Sequence, residues 1–524
     1  EQSKEKSEKL WLDFKNNTGK EMTEASVRAM EYDSKGNLWI GTNNGGISVR
    51  SPEGKWTHIK EVTLSTGETV EVDTSYAIVQ RENGQLWITL GSPTEPKGIL
   101  VKEGNNWSQY TTDNSDLPSC FVQELELDGN GGLWIGSKNG VVYVDSVENW
   151  TLYTEKEGLL PYSVDALEPD GQGGVWIGYY PNLVENNDGT TSYIGGYQHM
   201  HSDGSIDTYQ GFDKSNFNIN WVRSISMDSE GGVWIVRSGN APGFGHGEID
   251  YIKNDERTVY KTEDLYPDIK EDDDIRLLLT DKNNKDVFYI ATLRSGVIKS
   301  EGVGNISEKY NGSTVFTSTQ WNNAYFIDWS DDNLMIGTNG GAAVQANRST
   351  FDDIKSHWAE NEVEKMTTLG YLKGSDGNFR PDESITRAEF VTLMVRILGL
   401  KTDKSETGFT DVSSDDWFAP YISSAVSQKI VKGYDDGSFK PNNPITREEI
   451  SSLLSTVLDL ELSEKDTEKL LEKFNDKVSP WAETYVAKSV EAGLLNGFPD
   501  GTFKGSTNAT RAQSAVMLLR FLSN

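Results

Sequence analysis

Three near-identical phrases in the last third of the chain carry the residues best suited to chemistry. Thr386-Arg387-Ala388-Glu389, Thr446-Arg447-Glu448-Glu449 and Thr510-Arg511-Ala512-Gln513 set their arginines 60 and then 64 residues apart. A threonine three residues before Glu or Gln has capping-box spacing. The hydroxyl takes a backbone N–H at a helix start and the carboxylate reaches back to the cap. The arginine has no such explanation, because a cation in the first helical turn faces the positive end of the helix dipole. A guanidinium beside free backbone N–H groups is suited to holding an anion such as a carboxylate. The plainer alternative is an ion pair with Asp353, Asp411 or Asp476, one of which stands in each copy.

Other candidates are weaker. His199 and His201 lie two apart on an expected strand and so share a face. With His246 they could ligate a metal, although a solvated edge hairpin explains the pair as well. We expect no metal or cofactor. Turns such as Asp128-Gly129-Asn130-Gly131-Gly132 resemble calcium loops, but a hairpin turn accounts for them. There is no Ser-His-Asp phrase, no His-Glu-x-x-His and no P-loop. Cys120, the only cysteine, is expected to be a small buried hydrophobe rather than a nucleophile. No catalytic residue is assigned.

The elements that must position these groups come from repeats. A Leu-Trp-Ile-Gly phrase after an Asp/Gly turn recurs with anchors at Trp39, Trp87, Trp134, Trp176 and Trp234, and in degenerate form at Tyr289 and Met335. Spacings of 42 to 58 residues, with four short alternating strands per unit, are the propeller period. Seven units imply seven blades, with the tryptophans packed between them. The last unit holds only three strands, and Leu10-Trp11-Leu12-Asp13-Phe14 resembles an outer strand. The N-terminal strand is therefore expected to complete blade seven. On the face shared by blade-entry loops and second-to-third-strand loops, Tyr162, Tyr179, Tyr180, Asn182, Tyr193, Trp221, Phe244 and His246 are candidates to stack on or bond a sugar or peptide. Packing of the long loops is the alternative.

These units closely resemble the two-component regulator propeller repeat over about residues 10–345. The resemblance implies a seven-bladed propeller and leaves the ligand open.

From Phe351 onward the texture is helical and triplicate. Phe351-Asp352-Asp353, Trp358 and Gly374 recur as Phe409-Thr410-Asp411, Trp417 and Gly433, and as Phe474-Asn475-Asp476, Trp481 and Gly497. Apolar residues at helical spacing follow each arginine, as in Phe390, Leu393, Met394, Ile397 and Leu398. This region resembles the S-layer homology domain in tandem triplicate. The resemblance implies an all-α pseudo-threefold unit binding secondary cell-wall polysaccharide, often a pyruvylated one. It also implies that the motif arginine and neighbouring Asp, Trp and Gly positions form the sugar grooves. The third copy departs from the pattern, with Gln513 for Glu and no proline in Lys504-Gly505-Ser506-Thr507-Asn508. The second carries Glu448 where alanine is usual. Both departures are expected to weaken binding.

The expected boundaries are a flexible 1–9, a propeller over 10–345, a linker 346–350, and repeats over 351–408, 409–473 and 474–524. The 524 residues carry a net charge of −32. Residues 351–524 account for −8 of it and the rest lies on the first 350. Such acidity argues against nucleic-acid partners. No run of about 18 apolar residues exists to span a membrane. The first residues read as the start of a mature product whose leader is absent, and the resemblance to the S-layer homology domain implies an extracellular, wall-associated protein of a Gram-positive bacterium. The favoured expectation is a wall-anchored, non-enzymatic binding protein. A wall-anchored lyase or hydrolase and a lattice-forming surface-layer component are the alternatives.

Overall fold

The computed structural model describes residues 9–15, 26–238, 245–311, 322–330, 333–347, 350–375, 377–402, 406–458 and 460–522. The chain divides into two compact units, one dominated by Trp56–Gln345 and the other by Ala346–Asn524.

The first unit is a ring of seven four-stranded antiparallel sheets. Blade one is typical: Val27–Tyr32, Leu38–Thr42, Ile47–Arg50 and Trp56–Ile59 pair in sequence order. The inner strands of blades two to seven are Ile78–Gln80, Val122–Leu127, Val164–Pro169, Val222–Met227, Ile275–Thr280 and Ala324–Ser330. Blade seven is closed as expected, because Lys9–Lys15 pairs as its outer strand beside Gly341–Asn347. Two short hairpins, Glu61–Thr63 with Thr69–Glu71 and Asn182–Glu185 with Thr191–Ile194, are added to this frame.

The repeated tryptophans pack between blades. Trp39, Trp87, Trp134, Trp176 and Trp234 are all buried. Trp87 stands 5.9 Å from Trp150 of blade three, and Trp234 5.2 Å from Phe288 of blade six. The glycine that closes the phrase in several blades has a matching reason. A Cβ on Gly178 would come within 2.3 Å of Val222 Cγ1 in the next blade, and one on Gly337 within 2.5 Å of Val27 Cγ1. Close approach of neighbouring blades is what fixes the phrase.

Inner strands of six blades share one irregularity. The pairing register slips between Val27 and Ala29, Val122 and Glu124, Val164 and Ala166, Val222 and Ser224, Ile275 and Leu277, and Ala324 and Phe326. Each slip leaves one residue unpaired, which is a β-bulge.

The second unit is helical. Arg387–Ile397, Arg447–Thr456 and Arg511–Leu522 follow the three motif threonines, and Glu360–Thr368, Ala419–Ser427 and Glu483–Glu491 follow the three tryptophans. The motif entries meet in a closed triangle: Ile385 N–H donates to Ala509 O, Ala509 N–H to Ile445 O, and Ile445 N–H to Ile385 O. This cyclic exchange is the pseudo-threefold. Among the described residues no helix is long and apolar enough to cross a membrane.

Candidate functional site

Each motif threonine caps its helix as its spacing dictates. Thr386 Oγ1 accepts from Glu389 N–H at 3.2 Å and Glu389 Oε2 accepts from Thr386 N–H at 2.8 Å, with the same pair at Thr446 and Glu449. The helix starts are not open to a ligand, however. Arg387 N–H donates to Asn443 O and Ala388 N–H to Pro441 O, and the other two starts are met by the next repeat in the same way. Anion binding by free helix N–H groups is therefore excluded.

The ion-pair alternative needs correcting too. Asp353, Asp411 and Asp476 do not pair with the arginines. Asp353 accepts from Phe379 and Arg380 N–H, Asp411 from Phe439 and Lys440 N–H, and Asp476 from Phe503 and Lys504 N–H. They thereby hold Arg380, Lys440 and Lys504 at φ of 59°, 57° and 55°, a left-handed conformation that side chains seldom adopt. Gly374, Gly433 and Gly497 have a packing role. A Cβ there would strike the rings of Phe351, Phe409 and Phe474 within 2.3, 2.3 and 2.7 Å.

The arginines instead join one repeat to the next. Arg387 Nε donates to Phe439 O and its Nη1 lies 2.9 Å from Glu449 Oε1. Arg511 Nε donates to Phe379 O and its Nη1 lies 3.0 Å from Glu389 Oε1. Arg447 makes the equivalent backbone bond to Phe503 O and a second to Asn496 O, but the position of its carboxylate partner is Gln513. Arg447 is 4% exposed, and no carboxylate among the described residues lies within ion-pairing distance of it. Burial holds its pKa down at about 10, with Asp476 offsetting part of that.

Arg447 lines a groove of about 500 Å³ with Trp358, Asn496, Phe498, Gln513 and Arg520. Trp358, Trp417 and Trp481 are 62%, 60% and 52% exposed. Tryptophans so open, at three equivalent places, have no packing explanation.

The second departure from the repeat pattern explains the third. Glu448 is buried, and its Oε1 accepts from Ser479 N–H at 2.8 Å. A Cβ on Gly505 would sit 2.4 Å from that same oxygen. Where repeats one and three carry Ala388 and Ala512, their partners are Pro441 and Pro381; where repeat two carries Glu448, the partner is Gly505. The missing proline makes room for the extra glutamate, which is buried against Ser479 and Gly505.

On the propeller, the structure brings some of the expected aromatics together and buries others. Tyr180 is 41% exposed and meets Trp221 edge-on at 4.6 Å. Tyr193 lies 5.2 Å from Phe217, a residue missed in the sequence because its loop carries no repeat mark. Asn182 is exposed on the added hairpin. Tyr179 is a correction: it is 1% exposed, ends the buried strand Val175–Tyr179, and donates to Gln198. Tyr162 packs 6.2 Å from it. Phe244 lies outside the described residues.

His199, His201 and Asp207 bring ligand atoms within 4.8 Å of one another, so they are the residues that could hold a metal. His199 nevertheless has a repeat role. It stacks on Trp176 at 4.1 Å and bonds Asp170 at 3.0 Å, where Tyr143 bonds Asp128 and Tyr251 bonds Asp228 in blades three and five. His246 is engaged elsewhere, with Glu263 and Lys270 O. Cys120 is only half-buried, its thiol 3.5 Å from Thr112 N.

Comparison with known proteins agrees with this architecture. Residues 350–391, 408–450 and 476–515 match the S-layer homology domain, and residues 22–44 match the two component regulator propeller. The chain thus carries a seven-bladed propeller followed by three S-layer homology domains. It is 36% identical over 159 residues to a surface layer protein of Brevibacillus choshinensis, covering 29% of this chain and 14% of that one. It is 32% identical over 201 residues to exoglucanase XynX of Acetivibrio thermocellus, covering 37% and 18%. Among solved structures it resembles the extracellular domain of a hybrid two component system from B. thetaiotaomicron, with 18% identity, a TM-score of 0.47, and 66% and 43% of the two chains covered. The chain thus spans under a fifth of the two sequence relatives.

Proposed function

We propose that the three S-layer homology domains hold this chain on the surface of a Gram-positive bacterium by binding secondary cell-wall polysaccharide. The propeller is then displayed as a non-enzymatic binding face. The observation that carries the reading is the set of three open tryptophans, each a platform for a sugar ring, with Trp358 beside the unpaired cation Arg447. An anionic sugar, such as a pyruvylated one, would supply the charge that Gln513 does not. Co-sedimentation with purified wall sacculi tests this. Residues 346–524 should pellet with the wall and residues 1–345 should remain in solution; the reverse distribution would sink the proposal.

A further inference from the structure

The bulges of the inner strands build a second site. Their unpaired residues are Arg28, Gln123, Asp165, Arg223, Arg276 and Tyr325, and a bulge re-aims its side chain. All belong to the end of the central shaft where the inner strands begin. Three arginines therefore stand in one ring. Arg28 and Arg276 pack over Tyr325 at 3.8 and 4.2 Å, and Arg223 over Trp221 at 4.1 Å. Arg28 and Arg276 have no carboxylate within ion-pairing distance among the described residues, and the charge of Asp165 offsets part of the burial of Arg223. The single acid of the ring, Asp165, accepts from Trp221 Nε1.

Donors are left over. Arg276 is 9% exposed, and its Nε and Nη1 have no hydrogen-bond partner; nor has Arg28 Nε. Unpaired buried guanidinium N–H groups are costly, and three of them stand in this ring. Burial, and then the neighbouring charge of Arg223, hold Arg276 down at about 10. Burial would raise the Tyr325 phenol, but Arg276 and Arg28 outweigh it and lower it. The shaft below has a volume of about 230 Å³, room for a small acidic group and the atoms beside it. The shaft is also lined by Glu31, Glu124, Glu126, Glu168 and Asp328. Arg28 and Glu31 lie three residues apart on one strand, about 10 Å along it, while Glu124 directly follows the ring residue Gln123.

We propose that the mouth of the propeller shaft binds an oxyanion, a carboxylate or phosphate group of a small ligand, through Arg28, Arg223 and Arg276. Tyr180 and Trp221 form the rim against which the rest of the ligand rests. The proposal deepens the reading of the propeller as a binding module and does not depend on wall attachment.

Calorimetric titration of the full chain at pH 7 in chloride tests it, with sodium D-glucuronate, inorganic phosphate and neutral glucose as probes. A saturable anion site that survives Arg447→Met is expected and none for glucose; glucuronate or phosphate alone would identify the carrier chemistry. Arg276→Lys keeps the charge but loses the planar fork and should weaken binding at least tenfold. Loss of binding in Arg447→Met instead would move the anion to the wall module and overturn the proposal. Absence of binding by both anions would overturn it as well, while a neutral glycan bound on the face would leave the binding-module reading standing. If the lysine variant does not fold, the melting temperature of the unaltered chain decides. Stabilisation that saturates with glucuronate or with phosphate supports the site, and a linear or absent response to both refutes it.

Discussion

Gln513→Glu is the most revealing single change. In the other two interfaces a glutamate sits 2.9 or 3.0 Å from the motif arginine, and only Arg447 lacks one. Gln513 already closes the capping box at Thr510, so the new carboxylate would add the ion pair with Arg447. At about 3 Å and an effective dielectric of about 20 the pair gains roughly 5 kcal/mol. Desolvating the added charge takes back several kcal/mol, which leaves a modest net stabilisation. The melting temperature of the helical unit should therefore rise by a few degrees. Wall binding should fall. An anionic sugar about 5 Å from Arg447 gains about 3 kcal/mol from that charge at the same dielectric. Neutralising it, with solvent screening at the groove mouth, should cost about 1.4 to 2.7 kcal/mol, or ten- to a hundredfold in affinity. Sedimentation isotherms with purified wall polysaccharide measure this directly. A Gln513→Glu protein that is more stable and binds as tightly as the parent would refute the argument that the unpaired charge of Arg447 is used for binding.

Further outcomes follow from the same geometry. Burial pushes Glu168 up to about 8 and Asp328 up to about 6. As pH rises above about 4.5 the unfolded chain ionises these groups before the folded one does, so propeller stability should fall from pH 5.5 to 8 and level off above that. Calorimetric scans with a higher melting temperature at pH 8 would contradict it. Gly505→Pro alone should destabilise the helical unit by about 1–3 kcal/mol through overpacking against Glu448, and Glu448→Ala should rescue it, as read in a denaturant double-mutant cycle. Trp358→Ala, Trp417→Ala and Trp481→Ala should each change stability by no more than about 0.5 kcal/mol while weakening wall sedimentation.

Much of this fold was legible because it repeats. Trp39 to Trp234 set the blade period, and a three-stranded last unit demanded the strand around Phe14. The capping boxes at Thr386 and Thr446 were legible because their partners are three residues away. The arginine partners were not. Arg387 meets Glu449 and Arg511 meets Glu389 across the triangle of repeats, so local sequence pointed to the nearer aspartates, which hold left-handed turns instead. The arginine ring of the shaft was hidden for another reason. Arg28, Arg223 and Arg276 occupy polar slots of ordinary alternating strands, and only the register slip turns them inward. Tyr179 was misplaced because its strand runs one residue further into the core than the Trp-Ile-Gly phrase suggests.

The central claim is that the open tryptophans and the arginine-lined groove hold wall polysaccharide. Its most direct test is sedimentation of the full chain with sacculi that carry the secondary polysaccharide and with sacculi chemically stripped of it. The account predicts that the chain pellets with the first and stays in solution with the second, and that replacing Trp358, Trp417 and Trp481 together by alanine abolishes pelleting in a protein that still melts cooperatively. Equal pelleting with stripped walls, or undiminished pelleting of the triple variant, would contradict it.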